Sequence, residues 1–180
     1  CIDTTYVSSV GEYVTKFEKM TADATGSKYA VATSSGTTGL HVMLKAAGVR
    51  AGELVIIPTF TFIASANAIA HCGAIPWLMD IRKSDWCIDV DLVHEGLKKN
   101  CMKQDGVVIH TPSGRRVAAV MPVYTLGNIP DMERLREIAE TYEIPLVADA
   151  ACAIGATYNE KPIGKLADIS VLSFNGNKTV

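Results

Sequence analysis

The residues of this chain whose types and spacing suit chemistry are a lysine, an aspartate and a set of small hydroxyl residues. Lys178 lies in the turn 173–178, which begins with Ser173 and directly follows the mainly apolar run 167–172. Asp149 ends another apolar run and opens a turn of small residues. A lysine amine can form a Schiff base, a carboxylate can pair with a pyridinium nitrogen, and hydroxyls and backbone amides can hold a phosphate. Together these groups are the ones that a pyridoxal phosphate (PLP) site requires.

A second candidate site follows residues 29–33, which are predicted as a strand. The turn 34–39, of sequence SSGTTG, comes next and leads into a predicted helix. Glycine permits a tight turn, and the first amides of a helix point outward at the positive end of its dipole. Thr37 and Thr38 add hydroxyl donors, so the turn is a candidate phosphate site. The alternative is that Ser35 is an ordinary N-cap, and the turn lacks the GxxxxGKS and GxGxxG patterns of nucleotide sites.

Asp149 and Phe62 are further candidate contacts of such a cofactor. Asp149 lies at the carboxyl end of a predicted strand, where α/β sheets bind ligands, although it could simply cap the following turn. Opposite charges about 4 Å apart at an effective dielectric of about 20 gain about 4 kcal/mol. That gain would keep a pyridine nitrogen protonated near neutral pH. Phe62, in the segment 58–67, could stack on a cofactor ring or belong to the core.

The elements that must position these residues alternate between short apolar runs and helical patterns, which is typical of an α/β sheet with helical crossovers. Several runs are continuously apolar, so both faces of the sheet are expected to be covered. The sequence TPSG at 111–114 indicates a hairpin loop and predicts one antiparallel insertion in a mostly parallel sheet. The predicted strands are 29–33, 54–58, 75–80, 107–110, 117–123, 146–149 and 169–173.

Helices are predicted from apolar residues that recur at helical spacing. The range 40–47 follows the i, i+3, i+4, i+7 pattern and is expected to end at Gly48. The range 135–142 follows Asp131, which can cap a helix N-terminus. Further helices are predicted within 14–26 and 90–99. No internal repeat or linker is present, so we predict one domain.

Length, composition and charge narrow the possible functions. The chain has 180 residues, of which 48% are hydrophobic and 20% charged, so it can form one globular domain. A formal net charge of −2 without a basic cluster gives no sign of nucleic-acid binding, and no apolar run approaches a membrane span. Five cysteines and four histidines show no metal-ligand spacing, so no metal site is expected. The odd number of cysteines predicts reduced thiols and a cytoplasmic location.

The chain resembles the large domain of the DegT/DnrJ/EryC1/StrS sugar aminotransferases, within the fold-type-I PLP enzymes, over essentially its whole length. This resemblance implies an α/β fold, a three-layer α/β/α sandwich with a mostly parallel mixed sheet. The opening 3–11 and the lysine turn 175–179 are most similar to the branch that acts on UDP-linked 4-keto-6-deoxy sugars of the legionaminic acid and bacillosamine types. The motifs that carry the resemblance are 35–37, 58–67, 127–132, 149–151 and 173–178.

The resemblance also implies roles for individual residues. Lys178 would bind the cofactor covalently and move a proton between substrate and cofactor, and Asp149 would pair with the pyridinium nitrogen. Phe62 would stack on the ring. Cys152 stands where the family usually has Gln or His beside the cofactor phenolic oxygen, and Tyr124 stands where His is common. The phosphate contacts would be Gly36, Thr37, Thr38 and Ser173.

The reaction implied by the resemblance is ping-pong transfer of an amino group from an amino acid, expected to be glutamate, to a nucleotide-linked keto sugar in surface-glycan or polysaccharide biosynthesis. The enzyme would be a homodimer with a shared active site. Residues 1–180 would be its PLP-binding large domain without the smaller C-terminal domain, and a poor catalyst alone. The chain begins at Cys1 without a signal-like segment, which we interpret as a missing start. Two alternatives stay open: an inactive or regulatory domain of this fold, and a PLP-dependent sugar dehydratase, whose relatives carry histidine in place of Lys178.

Overall fold

The structure, a computed structural model, describes Ser8 and residues 10–178 and contains a central sheet with helices on both sides. The helices are α1 (Glu12–Thr25), α2 (Gly36–Ala46), α3 (Ile63–His71), α4 (Val90–Asn100) and α5 (Met132–Tyr142). The strands are β1 (Leu54–Pro58), β2 (Ile75–Met79), β3 (Cys101–Gln104), β4 (Val107–His110), β5 (Arg115–Val120), β6 (Val147–Asp149), β7 (Thr157–Tyr158), β8 (Lys161–Pro162) and β9 (Ile169–Val171). Short 3-10 helices lie at Thr125–Gly127 and Ile163–Lys165.

Strand β1 shows why a continuous apolar run belongs in the middle of this sheet. Every residue of the strand is buried. Successive side chains of a strand point to opposite faces. Leu54 and Ile56 accordingly join one core cluster. Val55 and Ile57 join another core cluster, so the expectation that the sheet is covered on both faces is confirmed.

Two layers of helices supply these two clusters. Helices α2 and α3 contribute Leu44 and Ile69 to the cluster that contains Val55. Helices α4 and α5 contribute Leu97 and Leu135 to the other cluster. The arrangement is the predicted three-layer α/β/α sandwich. Within the described part of the chain, no helix combines the length and the apolar character that crossing a membrane requires.

The strand order places the carboxyl ends of several parallel strands at one edge. Strand β1 pairs in parallel with β2 and with β5, and β6 pairs in parallel with β9. Parallel bridges from Val120 to Leu146 and from Val123 to Asp149 set β6 alongside the chain that continues β5. The antiparallel pairs β3–β4 and β4–β5 form the predicted insertion at the start of β5. The parallel strands therefore run in the order β2-β1-β5-β6-β9 and end on the same side.

The predicted helices form near their expected ranges, with caps that the sequence indicates. The carboxylate of Asp131 accepts a hydrogen bond from the Arg134 N–H at 3.1 Å and caps α5 as predicted. A capping oxygen satisfies one of the amides that have no partner inside the first turn. Helix α1 ends at Gly26, whose left-handed conformation (φ 66°) closes the helix.

The predicted strand at 29–33 is wrong. The segment has no regular secondary structure and no strand partner within the described part of the chain. Its Ala32 N–H donates instead to a carboxylate oxygen of Glu18 on α1 at 2.8 Å. Tyr29 and Val31 are 75% and 79% exposed. Residue types that favour strands do not form one unless a neighbouring strand pairs with them.

Helix α3 and strand β3 were not predicted from the sequence. The aromatic and β-branched residues of 60–63 obscure the alanine-rich helix that follows them. Strand β3 continues directly from α4 and pairs with β4 across Asp105 and Gly106. Both turn residues have positive φ, 51° and 78°. An Asp-Gly pair of this kind is a strong hairpin signal, so β3 could have been predicted from it.

Candidate active site

The carboxyl edge of the parallel strands brings the candidate residues together. Asp149 ends β6, and Ser173 lies just after Val171 of β9. The Tyr124 N–H donates to the Asp149 carbonyl oxygen at 2.9 Å, which joins the end of β6 to the chain after β5. The Ala150 N–H donates to the Val171 carbonyl oxygen at 2.9 Å. This is the edge at which α/β sheets bind ligands.

Asp149 is a buried acid with donors on both carboxylate oxygens. Asp149 is only 5% exposed. The Ser65 hydroxyl donates to Oδ2 at 2.6 Å, and the Ala151 N–H donates to Oδ1 at 3.1 Å. Burial raises the pKa of Asp149, while these hydrogen bonds and the charge of Lys178 act in the opposite direction. Such a fixed carboxylate suits a cationic ring nitrogen.

Lys178 lies beside Phe62 at this edge. Its Nζ is 5.2 Å from the centroid of the Phe62 ring, a distance at which an ammonium interacts with an aromatic face. The Lys178 N–H donates to the Asn175 carbonyl oxygen at 2.8 Å and closes the lysine turn. Phe174 packs edge-to-face against Phe17 of α1 with ring centroids 4.8 Å apart, which anchors the start of that turn. The predicted lysine and the predicted ring-stacking residue are therefore adjacent.

The glycine turn and the serine after β9 also meet. A methyl group built on Gly36 would lie 3.5 Å from Cβ and 3.6 Å from Oγ of Ser173. The Ser35 hydroxyl oxygen accepts from the Thr38 N–H at 3.1 Å, so the alternative N-cap role of Ser35 is confirmed. The cap does not remove the site, because the first amides and Thr37 still lie at the positive end of α2. Gly36 at the start of α2 and the Ser173 hydroxyl therefore lie close together.

Cys152 and Tyr124 differ in how accessible they are to a ligand. Cys152 is partly buried in the turn after β6, and its carbonyl oxygen lies 3.2 Å from a methyl group built on Gly127. Tyr124 is 1% exposed and belongs to the core. Burial raises the pKa of its phenol, and the hydroxyl has no hydrogen-bond partner within the described residues. Tyr124 thus occupies a core position.

Sequence reasoning missed two hydroxyl residues of the site, Ser65 and Thr61. Ser65 is fully buried, and its oxygen lies 2.8 Å from Thr61 Oγ1 as well as next to Asp149. The available signal was a single serine among the small apolar residues of 63–70. A buried hydroxyl needs a polar partner, and the structure shows that this partner is the Asp149 carboxylate.

Comparison with known proteins identifies the family. The profile of the DegT/DnrJ/EryC1/StrS aminotransferase family matches residues 1–180. The chain belongs to this family. The family and fold class predicted from the sequence are therefore confirmed, and PLP is the cofactor on which aminotransferases of this family depend. Most of the opening motif 3–11 and Thr179 of the lysine turn lie outside the described residues.

Relatives and solved structures extend this result. GDP-perosamine synthase of Caulobacter vibrioides is 41% identical over 180 residues, which are 100% of this chain and 44% of that protein. The 3-oxo-glucose-6-phosphate:glutamate aminotransferase of Bacillus subtilis is 34% identical over 168 residues, or 93% of this chain and 34% of that protein. A family aminotransferase from Brucella abortus superposes with a TM-score of 0.87 at 25% identity, covering 98% of this chain and 44% of that chain. A Bacillus subtilis protein solved with bound cofactor PMP superposes with a TM-score of 0.79 at 34% identity, covering 94% of this chain and 34% of that chain. The chain spans less than half the length of each of these proteins.

Proposed function

We propose that the protein is a PLP-dependent aminotransferase that moves an amino group from an amino acid, expected to be glutamate, to a nucleotide-linked keto sugar. One observation carries the proposal: Lys178, Phe62 and the buried Asp149 converge at the carboxyl edge of the sheet. The names of relatives support the sugar nucleotide. They include GDP-perosamine synthase and, at 32% identity, the UDP-2-acetamido-2-deoxy-3-oxo-D-glucuronate aminotransferase of Pseudomonas aeruginosa.

The residues of the site fit PLP, which supplies an electron sink to a substrate when it is bound. In this proposal Asp149 would hold a proton on the ring nitrogen, and Phe62 would cover a face of the ring. Lys178 would attach the cofactor through its Nζ and would accept and donate a proton at that atom. Cys152 lies in the turn that would face the phenolic oxygen. The phosphate would be bound by Gly36, Thr37, Thr38 and Ser173.

The proposal includes the organisation of the whole enzyme. Residues 1–180 would be its PLP-binding large domain, and two copies would share an active site in a cytoplasmic homodimer. The sequence resembles enzymes that act on UDP-linked 4-keto sugars, whereas the names of several relatives point to GDP-linked sugars. An experiment is needed to decide which nucleotide the substrate carries. Lys178 opposes the dehydratase alternative, because that alternative rests on a histidine in its place.

Covalent trapping tests the proposal at its central residue. Intact protein is incubated with PLP and treated with borohydride, which reduces a carbon–nitrogen double bond and makes the attachment permanent. Peptide mass spectrometry is expected to find the cofactor on Lys178. The Lys178→Arg variant keeps the charge but lacks a primary amine, so it is expected to carry no cofactor at this position. Intact protein without an adduct on Lys178 would favour the inactive-domain alternative and overturn the proposal.

PLP-loaded protein that has not been treated with borohydride distinguishes the substrates. Glutamate is added first, and then a GDP-linked or a UDP-linked 4-keto-6-deoxy sugar. Amination of either sugar supports a sugar-nucleotide aminotransferase, and the ratio of kcat/KM for the two sugars identifies the nucleotide. Loss of amination in Lys178→Arg serves as the control. Trapping on Lys178 without amination of either sugar would restrict the proposal to cofactor binding.

A further inference from the structure

We infer that Ser65 is a positioning residue for Asp149, and that its hydroxyl, supported by Thr61, keeps the Asp149 carboxylate ionised and oriented. The inference rests on the proposed function, because it takes Asp149 as the partner of the cofactor ring nitrogen. Ser65 lies 84 residues before Asp149 in the chain, and the fold brings their side chains into contact. The hydrogen-bonded chain Thr61–Ser65–Asp149 is the observation that carries the inference.

The chemistry of the three groups sets the direction of this chain. An ionised carboxylate only accepts hydrogen bonds, so the Ser65 proton points to Asp149 Oδ2 at 2.6 Å. With its proton committed, the Ser65 oxygen accepts from the Thr61 hydroxyl at 2.8 Å, a shorter contact than the 3.3 Å from that hydroxyl to its other acceptor, the Phe62 carbonyl oxygen. A hydroxyl that receives a hydrogen bond becomes a stronger donor. Thr61 therefore strengthens the bond that Ser65 makes to the acid.

Asp149 needs this donor because it is buried. Burial disfavours the ionised carboxylate, and a protonated acid cannot form an ion pair with a pyridinium nitrogen. Two other groups also favour the ionised form, the Ala151 N–H and the charge of Lys178. The Ala151 N–H is a neutral backbone donor at 3.1 Å, longer than the Ser65 contact. A short hydroxyl bond to an ionised acceptor is the stronger type, so Ser65 is the main side-chain support of the charge.

Helix α3 fixes Ser65 and the ring-stacking residue together. Phe62 is the N-cap residue of α3, and the Ser65 N–H donates to the Phe62 carbonyl oxygen at 3.2 Å. The same helix is anchored in the core by Ala68 and Ile69, both fully buried. Its first turn therefore sets the positions of the Phe62 backbone and the Ser65 hydroxyl at once. This coupling explains why the support for Asp149 comes from α3.

The first test measures Asp149 in the intact, cofactor-free protein. A carbon-13 NMR titration of the Asp149 carboxyl is expected to show a higher pKa in Ser65→Ala, by about one to two pH units, because a hydrogen bond to a charged group is lost. Ser65→Thr keeps the hydroxyl and is expected to retain most of the wild-type pKa. Ser170→Ala is the matched control. It removes a buried hydroxyl on β9 that has no hydrogen-bond partner within the described residues, so no change is expected.

The second test measures the consequence at the cofactor. PLP labelled with nitrogen-15 at the ring is bound to each variant, and the nitrogen chemical shift reports whether that nitrogen is protonated. At one pH near neutrality, Ser65→Ala is expected to move the shift toward the unprotonated value. Ser65→Thr and Ser170→Ala are expected to keep the protonated value. Thr61→Val, which removes the supporting donor, is expected to give a smaller change in the same direction as Ser65→Ala.

The outcomes separate this inference from the proposed function. A folded Ser65→Ala variant with a wild-type carboxyl pKa and a wild-type nitrogen shift overturns the role of Ser65. If Ser65→Ala does not fold, Ser65→Cys replaces it, because a thiol is of similar size but is a weak donor. A wild-type protein that binds no PLP refutes the proposed function, whereas the titration of the cofactor-free protein still decides whether Ser65 supports the charge of Asp149.

Discussion

Phe62 is a large aromatic residue whose exposure the fold itself does not explain. Its side chain is 70% exposed, although the helix that it precedes packs into the core through Ala68 and Ile69. The Lys178 ammonium lies 5.2 Å from its ring centroid, and such a contact contributes only about 0.5–1 kcal/mol at an exposed position. A flat apolar face beside a lysine is suited to a planar ligand that carries a carbonyl group.

Replacing Phe62 with alanine is expected to weaken PLP binding without unfolding the protein. Stacking between aromatic rings contributes about 0.5–1.5 kcal/mol beyond burial, which corresponds to about a 2- to 10-fold rise in Kd. The folded state loses little, because the side chain is mostly exposed. Absorbance titration with PLP measures the affinity. Phe60→Ala is the matched control, since the Phe60 ring packs against Trp86 with centroids 5.1 Å apart. Equal weakening by both variants would argue against a specific role for Phe62.

At the scale of elements, nearby residues were sufficient to predict a helix or strand where the groups that stabilise it lie close in the sequence. The capping carboxylate of Asp131 and the apolar spacing of 135–142 are local to α5 and predicted it. The continuous apolar run 54–58 predicted a strand that is covered on both faces. The segment 29–33 also contains residue types that favour strands, but it has no adjacent strand within the described residues, so residue type alone predicted the wrong element.

The residues of the candidate site also fall into two groups, those that the sequence predicted and one that depends on contacts between distant parts of the chain. Asp149 and Ser173 are the last residues of predicted strands, and the carboxyl ends of parallel strands meet, so their convergence could be expected. Lys178 follows in the same turn. Ser65 could not be assigned, because its role appears only when α3 packs beside β6 and closes a contact across 84 residues. Sequence patterns reveal which groups end strands, but not which buried hydroxyl will face them.

The packing of α2 on β9 offers a test at this scale. A methyl group on Gly39 of α2 would lie 2.9 Å from Val171 Cγ1 and 3.1 Å from Thr33 Oγ1. Both neighbours are β-branched and have stiff side chains, so they cannot easily move aside. Alanine favours a helix by about 1 kcal/mol over glycine, but overpacking costs about 1–3 kcal/mol. Gly39→Ala is therefore expected to lower the free energy of unfolding by up to about 2 kcal/mol in urea titration.

Gly96 of α4 provides the matched comparison for Gly39. A methyl group there would lie 2.8 Å from Met79 Cε, the end of a flexible side chain that can rotate away. Gly96→Ala is expected to keep the helix advantage and raise the free energy of unfolding by up to about 1 kcal/mol. Similar destabilisation by both substitutions would show that the close packing of α2 against β9 is not the cause of the effect of Gly39→Ala.

At the scale of the whole molecule, Asp149 opposes the stability of the fold that positions it. Its carboxyl is buried at the edge of the sheet, and burial raises its pKa in the folded protein. The folded state then binds more protons than the unfolded state between the ordinary carboxyl pKa and the raised one. Stability from this residue is fully present below the ordinary carboxyl pKa and is lost as the pH rises through the raised value. A cofactor that presents a positive charge would offset this loss, so cofactor binding and folding should be coupled.

Asp149→Asn tests this coupling in the cofactor-free protein, because asparagine has nearly the same shape and no charge to lose. At acid pH, the free energy of unfolding of the variant is expected to equal or fall below that of the wild type. As the pH rises toward neutrality, the free energy of unfolding of the variant is expected to increase relative to that of the wild type. Urea titrations across that pH range measure the difference. Asp105→Asn, in the exposed turn between β3 and β4, is the matched control for loss of one carboxyl charge. A difference between Asp149→Asn and wild type that does not change with pH would mean that the buried carboxyl carries no such cost. If the difference does grow, then PLP should stabilise the wild type more than the variant, because only the wild type has the carboxylate whose charge the ring nitrogen would compensate.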